Sequence, residues 1–214
     1  MRPLIDPHGD DAHHDTNDCC VFDDDSKLLS CNKDGEIRAW HLQTGQVLYK
    51  MDGHNGPVHA VEPIECDGEC YALSCGDDGT FKLWDLHSAV PGQHAECVLT
   101  QVAHTDQKGA VAVYEAYPVE YEGRWRVLTC GADSAKMWTL PKFDQLGKLD
   151  DVEMVPDAVL KGHKGDVLSG QVFVGGDGQL QALTGSQDNL LKLWDLTVID
   201  DKVRQMVDAI RRER

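Results

Sequence analysis

Serine or threonine, histidine and aspartate recur together in this chain, and these are the side chains that acyl-transfer hydrolysis requires. A serine hydroxyl attacks only when an imidazole takes its proton and a carboxylate orients that imidazole. The stretch Ser74-Cys75-Gly76-Asp77-Asp78-Gly79-Thr80-Phe81-Lys82-Leu83-Trp84-Asp85-Leu86 carries a serine and aspartates, and Gly53-His54 lies upstream of it. Its design returns in variant form at Ser30 to Leu42, Thr129 to Leu140 and Thr184 to Leu196. Equivalent copies cannot all be active sites, and no serine here occupies a Gly-x-Ser-x-Gly elbow. A second candidate chemistry is metal binding by His8, Asp10, Asp11, His13, His14 and Asp15. Their spacing matches no specific site, so residues 1–12 read as a flexible, solvated N-terminal segment. There is no phosphate-cradling glycine loop and no paired-carboxylate signature. The expectation is a chain with no catalytic residues, no metal site and no cofactor.

The eight cysteines are a third candidate. Cys31, Cys75 and Cys130 each follow the Ser or Thr that opens the recurring stretch, and Gly185 takes the same place in the fourth copy. The slot therefore asks for a small residue, which a free cysteine supplies as a small hydrophobe. Cys66 and Cys70 frame an Asp67-Gly68 turn, so their thiols are expected to face each other across a hairpin. One such pair lacks the second ligand pair of a zinc site, and reduced, structural cysteines are the reading.

The elements that hold these residues are short strands. Around Asp78-Gly79 the sequence suits the positive φ angles of a tight hairpin, and Phe81 and Leu83 alternate with Lys82 and Trp84 at the period of a strand. Aligned on Trp40, Trp84, Trp138 and Trp194, the copies agree in detail. One residue before each Trp is Ala39, Leu83, Met137 or Leu193, and three before it is Ile37, Phe81, Ala135 or Leu191. Two before it is always a base, Arg38, Lys82, Lys136 or Lys192, whose stem packs on the face of the Trp while its charge reaches water. The Trp spacings of 44, 54 and 56 residues point to units of about 40 to 45 residues with insertions after Pro91, Glu115 and Lys142.

These features resemble the WD40 repeat family: Gly-His, then Ser or Thr, then Asp in a turn, then Trp-Asp, over residues 13–196. Trp84-Asp85 and Trp194-Asp195 keep the terminal dipeptide, while Trp40-His41 and Trp138-Thr139 depart from it. The resemblance implies an all-β fold of four WD40 β-propeller blades, a partial propeller, centred on residues 14–52, 53–102, 103–161 and 162–197 within a repeat domain of 13–197. It also implies a buried hydrogen-bond tetrad in each blade. Carried over, these are His14, Ser30, Asp34 and Trp40; His54, Ser74, Asp78 and Trp84; His104, Thr129, Asp133 and Trp138; and His163, Thr184, Asp188 and Trp194. In the third set, Asp133 stands five residues before its Trp where the others stand six. Residues 198–214 read as a C-terminal amphipathic helix with Ile199, Val203, Met206, Val207 and Ile210 on one stripe and Lys202, Arg204, Arg211, Arg212 and Arg214 beside it.

Composition narrows function. With 37 acidic against 20 basic residues the formal charge is −17, which disfavours direct binding to nucleic acid or anionic lipid. No apolar run reaches the roughly 18 residues of a membrane span, and Met1 to Pro7 carries no signal-peptide core, so a cytoplasmic or nuclear protein is expected. The resemblance implies a non-catalytic protein–protein interaction scaffold whose partners are other proteins. Alternatives are a substrate receptor of a cullin-RING ubiquitin ligase, a truncated propeller fragment, and self-association or pairing with another partial propeller. The receptor reading wants a base shortly after Trp-Asp, where Leu86-His87 and Leu196-Thr197 stand instead.

Overall fold

The computed structural model describes residues 15–132, 134–146 and 154–197. The protein is all-β, built from four main antiparallel sheets in chain order. Sheet 1 comprises Thr16–Phe22, Lys27–Asn32, Glu36–His41 and Gln46–Asp52, and sheet 2 comprises Val58–Cys66, Glu69–Gly76, Thr80–Asp85 and Glu96–Val102. Sheet 3 comprises Val113–Tyr121, Arg124–Gly131, Ala135–Thr139 and Ala158–Leu160. Sheet 4 has three strands, Val167–Val174, Leu180–Ser186 and Leu191–Asp195. Each sheet is a meander of neighbouring strands, the blade architecture that the sequence resemblance implies. The amphipathic segment 198–214 and the N-terminal cluster His8 to His14 lie outside the described residues.

Turn chemistry sets the register. Asp67-Gly68 has φ +54° and +82°, and Glu122-Gly123 has +51° and +69°, so both are two-residue hairpin turns with both residues left-handed. That geometry pairs Cys66 with Glu69 and Glu65 with Cys70. Cys66 and Cys70 therefore point to opposite faces of sheet 2 and do not face each other, contrary to the expectation from their spacing. The turn at Asp77–Gly79 is different. Only Gly79 is left-handed there, at φ +74°, so Asp78 needs no positive φ and instead uses its carboxylate to brace the turn.

One insertion sits elsewhere than the spacing suggested. Sheets 2 and 3 have inner hairpins of equal length, so nothing is inserted after Glu115. The extra residues precede Val113, where Thr105–Asp106 and Gly109–Ala110 form a small separate hairpin. The segment after Pro91 docks on the neighbouring blade: Gln93–His94 adds a parallel fifth strand to the outer edge of sheet 1. Its backbone is satisfied by Gly92 N–H to Leu48 C=O at 2.8 Å and Ala95 N–H to Lys50 C=O at 2.9 Å.

The core lies between consecutive sheets. Leu29, Ile37, Ala39 and Met51 of sheet 1 pack on Val61, Ala72 and Trp84 of sheet 2. On the other face of sheet 2, Ile64, Leu73, Phe81 and Leu83 pack on Val113, Ala116 and Trp138 of sheet 3. Leu128, Met137, Val172 and Ala182 fill the interface of sheets 3 and 4. The far face of sheet 4 differs. Phe173, Leu183, Leu191 and Leu193 occupy the register positions of Ile64, Leu73, Phe81 and Leu83. Leu191 is 74% and Leu193 62% exposed, whereas Phe81 and Leu83 are 0% exposed.

Three of the four bases two residues before a Trp, Arg38, Lys82 and Lys136, find partners within the protein instead of extending to water. Lys82 is 8% and Arg38 6% exposed. Lys82 Nζ donates to Thr100 Oγ1 at 3.0 Å, Lys136 Nζ donates to Ala103 C=O at 2.9 Å, and Arg38 pairs with Glu36 at 2.7 Å. Thr100 on the adjacent outer strand, Ala103 in the segment after that strand and Glu36 on the same strand as Arg38 supply these partners before the stem reaches water.

Candidate functional site

Sheet 2 shows the arrangement most completely. Ser74 on the second strand and Trp84 on the third are brought together because Ser74 pairs with Lys82 and Ala72 with Trp84. Trp84 Nε1–H donates to Ser74 Oγ at 2.9 Å, and Ser74 Oγ lies 2.8 Å from His54 Nε2. His54 Nδ1 lies 2.9 Å from Asp78 Oδ2. The consistent proton order has Ser74 donating to Nε2 and Nδ1–H donating to Asp78. Asp78 also accepts from the N–H groups of Asn55 at 3.0 Å and Thr80 at 3.1 Å and from the Thr80 hydroxyl at 2.7 Å. Burial alone would raise the Asp78 carboxyl; hydrogen bonds from His54, Asn55 and Thr80 outweigh it and hold the group below the usual carboxylate range.

This chain of contacts has the connectivity of a hydrolase triad and none of its access. Ser74 is 0% exposed, and the free side of its oxygen is capped by the indole N–H. Nothing can approach Oγ, so its hydrogen bonds hold strands together. The glycine before the histidine belongs to the same design: a Cβ on Gly53, at φ +152°, would sit 3.2 Å from the Trp84 ring.

Sheet 4 repeats the tetrad, with Trp194 Nε1–H to Thr184 Oγ1 at 2.8 Å, Thr184 to His163 Nε2 at 2.9 Å, and His163 Nδ1 to Asp188 at 3.0 Å. The Lys164 N–H, followed by His163 and Leu190, lowers the Asp188 carboxyl to about 2 against the opposing effect of burial. Here Asn189, at φ +65°, replaces the turn glycine. In sheet 3, Thr129 Oγ1 receives Trp138 Nε1–H at 2.9 Å and lies 2.9 Å from His104 Nε2, with His104 0% exposed; Asp133 lies outside the described residues. In sheet 1, Trp40 Nε1–H donates to Ser30 Oγ at 2.7 Å, and His14 lies outside the described residues. Asp34 is exposed, and the turn is braced by buried Asn32, whose Oδ1 accepts from the N–H groups of Asp34 and Glu36, each at 3.0 Å.

Two further arrangements were not anticipated from the sequence. On the end of the sheets that carries the tetrad turns, His59 Nε2 contacts Asp77 Oδ1 at 2.6 Å, and the His59 and Tyr114 rings stand 5.4 Å apart. Tyr114 Oη–H donates to Asp166 Oδ2 at 2.9 Å. One line of aromatic and acidic groups thus spans sheets 2, 3 and 4. His59 and Tyr114 hold the same place, directly after the valine that opens each inner strand, which is the one clue the sequence offered. The other arrangement comprises Asp18, Glu62 and Glu115 on the inner strands of sheets 1, 2 and 3. Burial, then the charge of Asp18, pushes Glu62 up to about 7; burial, then the charges of Glu62 and Asp18, does the same to Glu115.

These shifts fix the sign of the pH dependence. Glu62 and Glu115 hold protons more tightly folded than unfolded, so their contribution is present at low pH and is lost as pH rises through about 7. Asp78 and Asp188 are lowered, so their contribution is present above about 4 and is lost on further acidification. Thermal melts are expected to rise from pH 8 to 5.5 and fall again below pH 4, with Glu62→Gln/Glu115→Gln flattening the upper limb. A slope between pH 8 and 5.5 that persists unchanged in the double variant counts against this assignment.

Repeated antiparallel blades, each pinned by a Trp–Ser/Thr hydrogen bond that a histidine extends in sheets 2, 3 and 4, define a class of repeat protein. The family model for the WD domain, G-beta repeat, matches residues 9–41, 45–85 and 154–195. The chain belongs to the WD40 repeat family. The first three strands of sheet 3, together with the small hairpin that precedes them, fall outside those matches, yet the register and hydrogen bonds of sheet 3 place it in the series. The chain is 28% identical over 200 residues to Telomerase protein component 1 of Mus musculus, covering 92% of this chain and 7% of that protein. It is 28% identical over 187 residues to Nuclear distribution protein PAC1-2 of Uncinocarpus reesii, covering 86% and 39% respectively. It is 25% identical over 193 residues to the Ribosome biogenesis protein WDR12 homolog of Trichoplax adhaerens, covering 81% and 41%. The chain thus spans less than half the length of each of these relatives. Among the described residues no helix is long and apolar enough to cross a membrane, and no cluster of three or more His, Cys, Asp or Glu is arranged to hold a metal.

Proposed function

We propose that this chain is a non-catalytic protein-binding scaffold, and that the end of the sheets carrying the tetrad turns is its contact surface for other proteins. The observation that carries this reading is the line His59–Asp77 and Tyr114–Asp166 across three sheets. It combines an aromatic ring, two carboxylates and a rigid base, features suited to an interface anchor. The buried tetrads supply that rigidity and consume the Ser/Thr–His–Asp groupings seen among the described residues, which favours binding over chemistry. The overall charge of −17 favours a partner with a basic surface. The test is quantitative affinity capture with the wild type and with Asp77→Lys/Asp166→Lys, both checked for unchanged melting. The double variant is expected to lose at least one stoichiometric protein partner more than tenfold. Identical partner sets for the two proteins would sink the proposal.

A further inference from the structure

The opposite end of sheets 2 and 3, where the two-residue hairpin turns lie, holds a cavity of about 830 Å³ that the surface proposed above does not use. Its apolar wall is formed by Trp125 at the start of the second strand of sheet 3 and by Phe143 in the 3₁₀ turn Phe143–Gln145. Those two rings stand edge to face, 6.4 Å apart at 87°, so they form a corner with two perpendicular aromatic surfaces. Phe143 is fixed from behind by Tyr71, whose ring centroid is 4.6 Å away and whose hydroxyl donates to Glu69 at 2.7 Å. Part of the Trp125 ring belongs to the core between the sheets, which accounts for its anchoring but not for a cavity of this size beside it. The rim carries Asp67, Glu69, Glu122 and Asp144 against Arg124 and Lys142, an acidic excess within an acidic protein. Asp67 and Glu122 are placed there by the left-handed turns that end the two inner hairpins.

We infer that this cleft is a docking site for a basic peptide segment of a partner protein, with one Arg or Lys side chain seated in the corner between Trp125 and Phe143. A cation against an aromatic face is attracted by the ring quadrupole, and a planar guanidinium stacks on indole best of all. The acids of the rim complement the charge, and the aliphatic stem of the inserted side chain covers the apolar wall. The volume lies in the range of about 300–1,000 Å³ typical of ligand clefts, enough for one long side chain and its neighbour. The cleft lies between two hairpin tips, so a peptide can cross it in extended form. Occupation by a neutral apolar segment is the competing outcome.

The test is selection of a displayed random 12-residue peptide library on the full 214-residue chain, followed by titration of the enriched peptides as synthetic, end-blocked molecules. Enriched sequences are expected to share an Arg or Lys beside an apolar residue, and to bind at least tenfold more weakly after Arg or Lys→Gln in the peptide. Trp125→Ala is expected to give a similar loss. Glu122→Lys, at an exposed turn, is expected to weaken binding at least threefold without altering the melt, which keeps the test sound if Trp125→Ala destabilises the sheet. Asp77→Lys/Asp166→Lys leaves binding at the cleft unchanged, so failure here is distinguishable from failure of the surface proposed above. Enriched peptides that lack a base, peptides that ignore both cleft substitutions, or no enrichment at all would overturn the inference.

Discussion

Leu83→Ala is expected to lower the free energy of unfolding by about 2–5 kcal/mol, the range for deleting a fully buried leucine and leaving a cavity. Leu83 is 0% exposed between sheets 2 and 3, where Ile64, Phe81, Val113 and Trp138 share its cluster. Leu193 occupies the identical repeat position, one residue before the tryptophan, and is 62% exposed. Leu193→Ala is therefore expected to change stability by no more than about 0.5 kcal/mol, as surface substitutions do. The pair Phe81 and Leu191 behaves the same way, since Phe81 is 0% and Leu191 74% exposed. Urea unfolding of the four single variants, with the slope checked for constancy, reads this directly. Equal losses at Leu83 and Leu193 would mean that the far face of sheet 4 is covered in solution by a second molecule or by other parts of the protein.

Ser74→Ala carries the second large effect. It deprives the Trp84 indole N–H of its acceptor and His54 Nε2 of its donor in a site that is closed to water. Each orphaned buried group costs about 1–3 kcal/mol, so the loss exceeds that of an ordinary surface hydroxyl severalfold. Ser74→Thr is expected to recover most of it, because Thr129 and Thr184 perform the same role in sheets 3 and 4. Trp84→Phe removes the donor instead, and the double change Ser74→Ala/Trp84→Phe should cost less than the sum of the two singles, since the second change removes a group already orphaned. Strict additivity in that cycle would show that the two side chains are not coupled. The same substitution separates the structural role from a catalytic one. A hydroxyl whose only partners are an indole and an imidazole inside the blade moves the melting temperature, and any binding loss should follow stability alone.

In sheets 2 and 4 the residues named by the family resemblance are hydrogen-bonded to one another, because a repeat imposes the same register on each copy. Trp–Ser/Thr contacts follow from strand pairing, and the pairing follows from the turn between them. Where the assignment changed, a local competitor was at work. Asn32 stands two residues before Asp34 and its amide oxygen takes the turn N–H groups, so the aspartate is left at the surface. Cys66 and Cys70 looked opposed because their spacing fits a hairpin, but a two-residue turn with both φ values positive pairs the first with Glu69. Lys82 and Lys136 looked solvated because a single strand shows nothing of the neighbouring strand or loop that supplies Thr100 Oγ1 and Ala103 C=O.

By itself the sequence determined the all-β repeat design and the blade-by-blade order, since period-two alternation and turn residues act over a few positions, while the buried role of Ser74, Trp84 and their counterparts was implied by the family resemblance. Only the tertiary structure decided which of four equivalent apolar faces is open, why Glu62 and Glu115 hold protons near neutrality, and that Trp125 and Phe143 meet in one cleft. Those properties arise between sheets, from residues brought together by packing, and neighbours in space leave no fixed spacing in the chain.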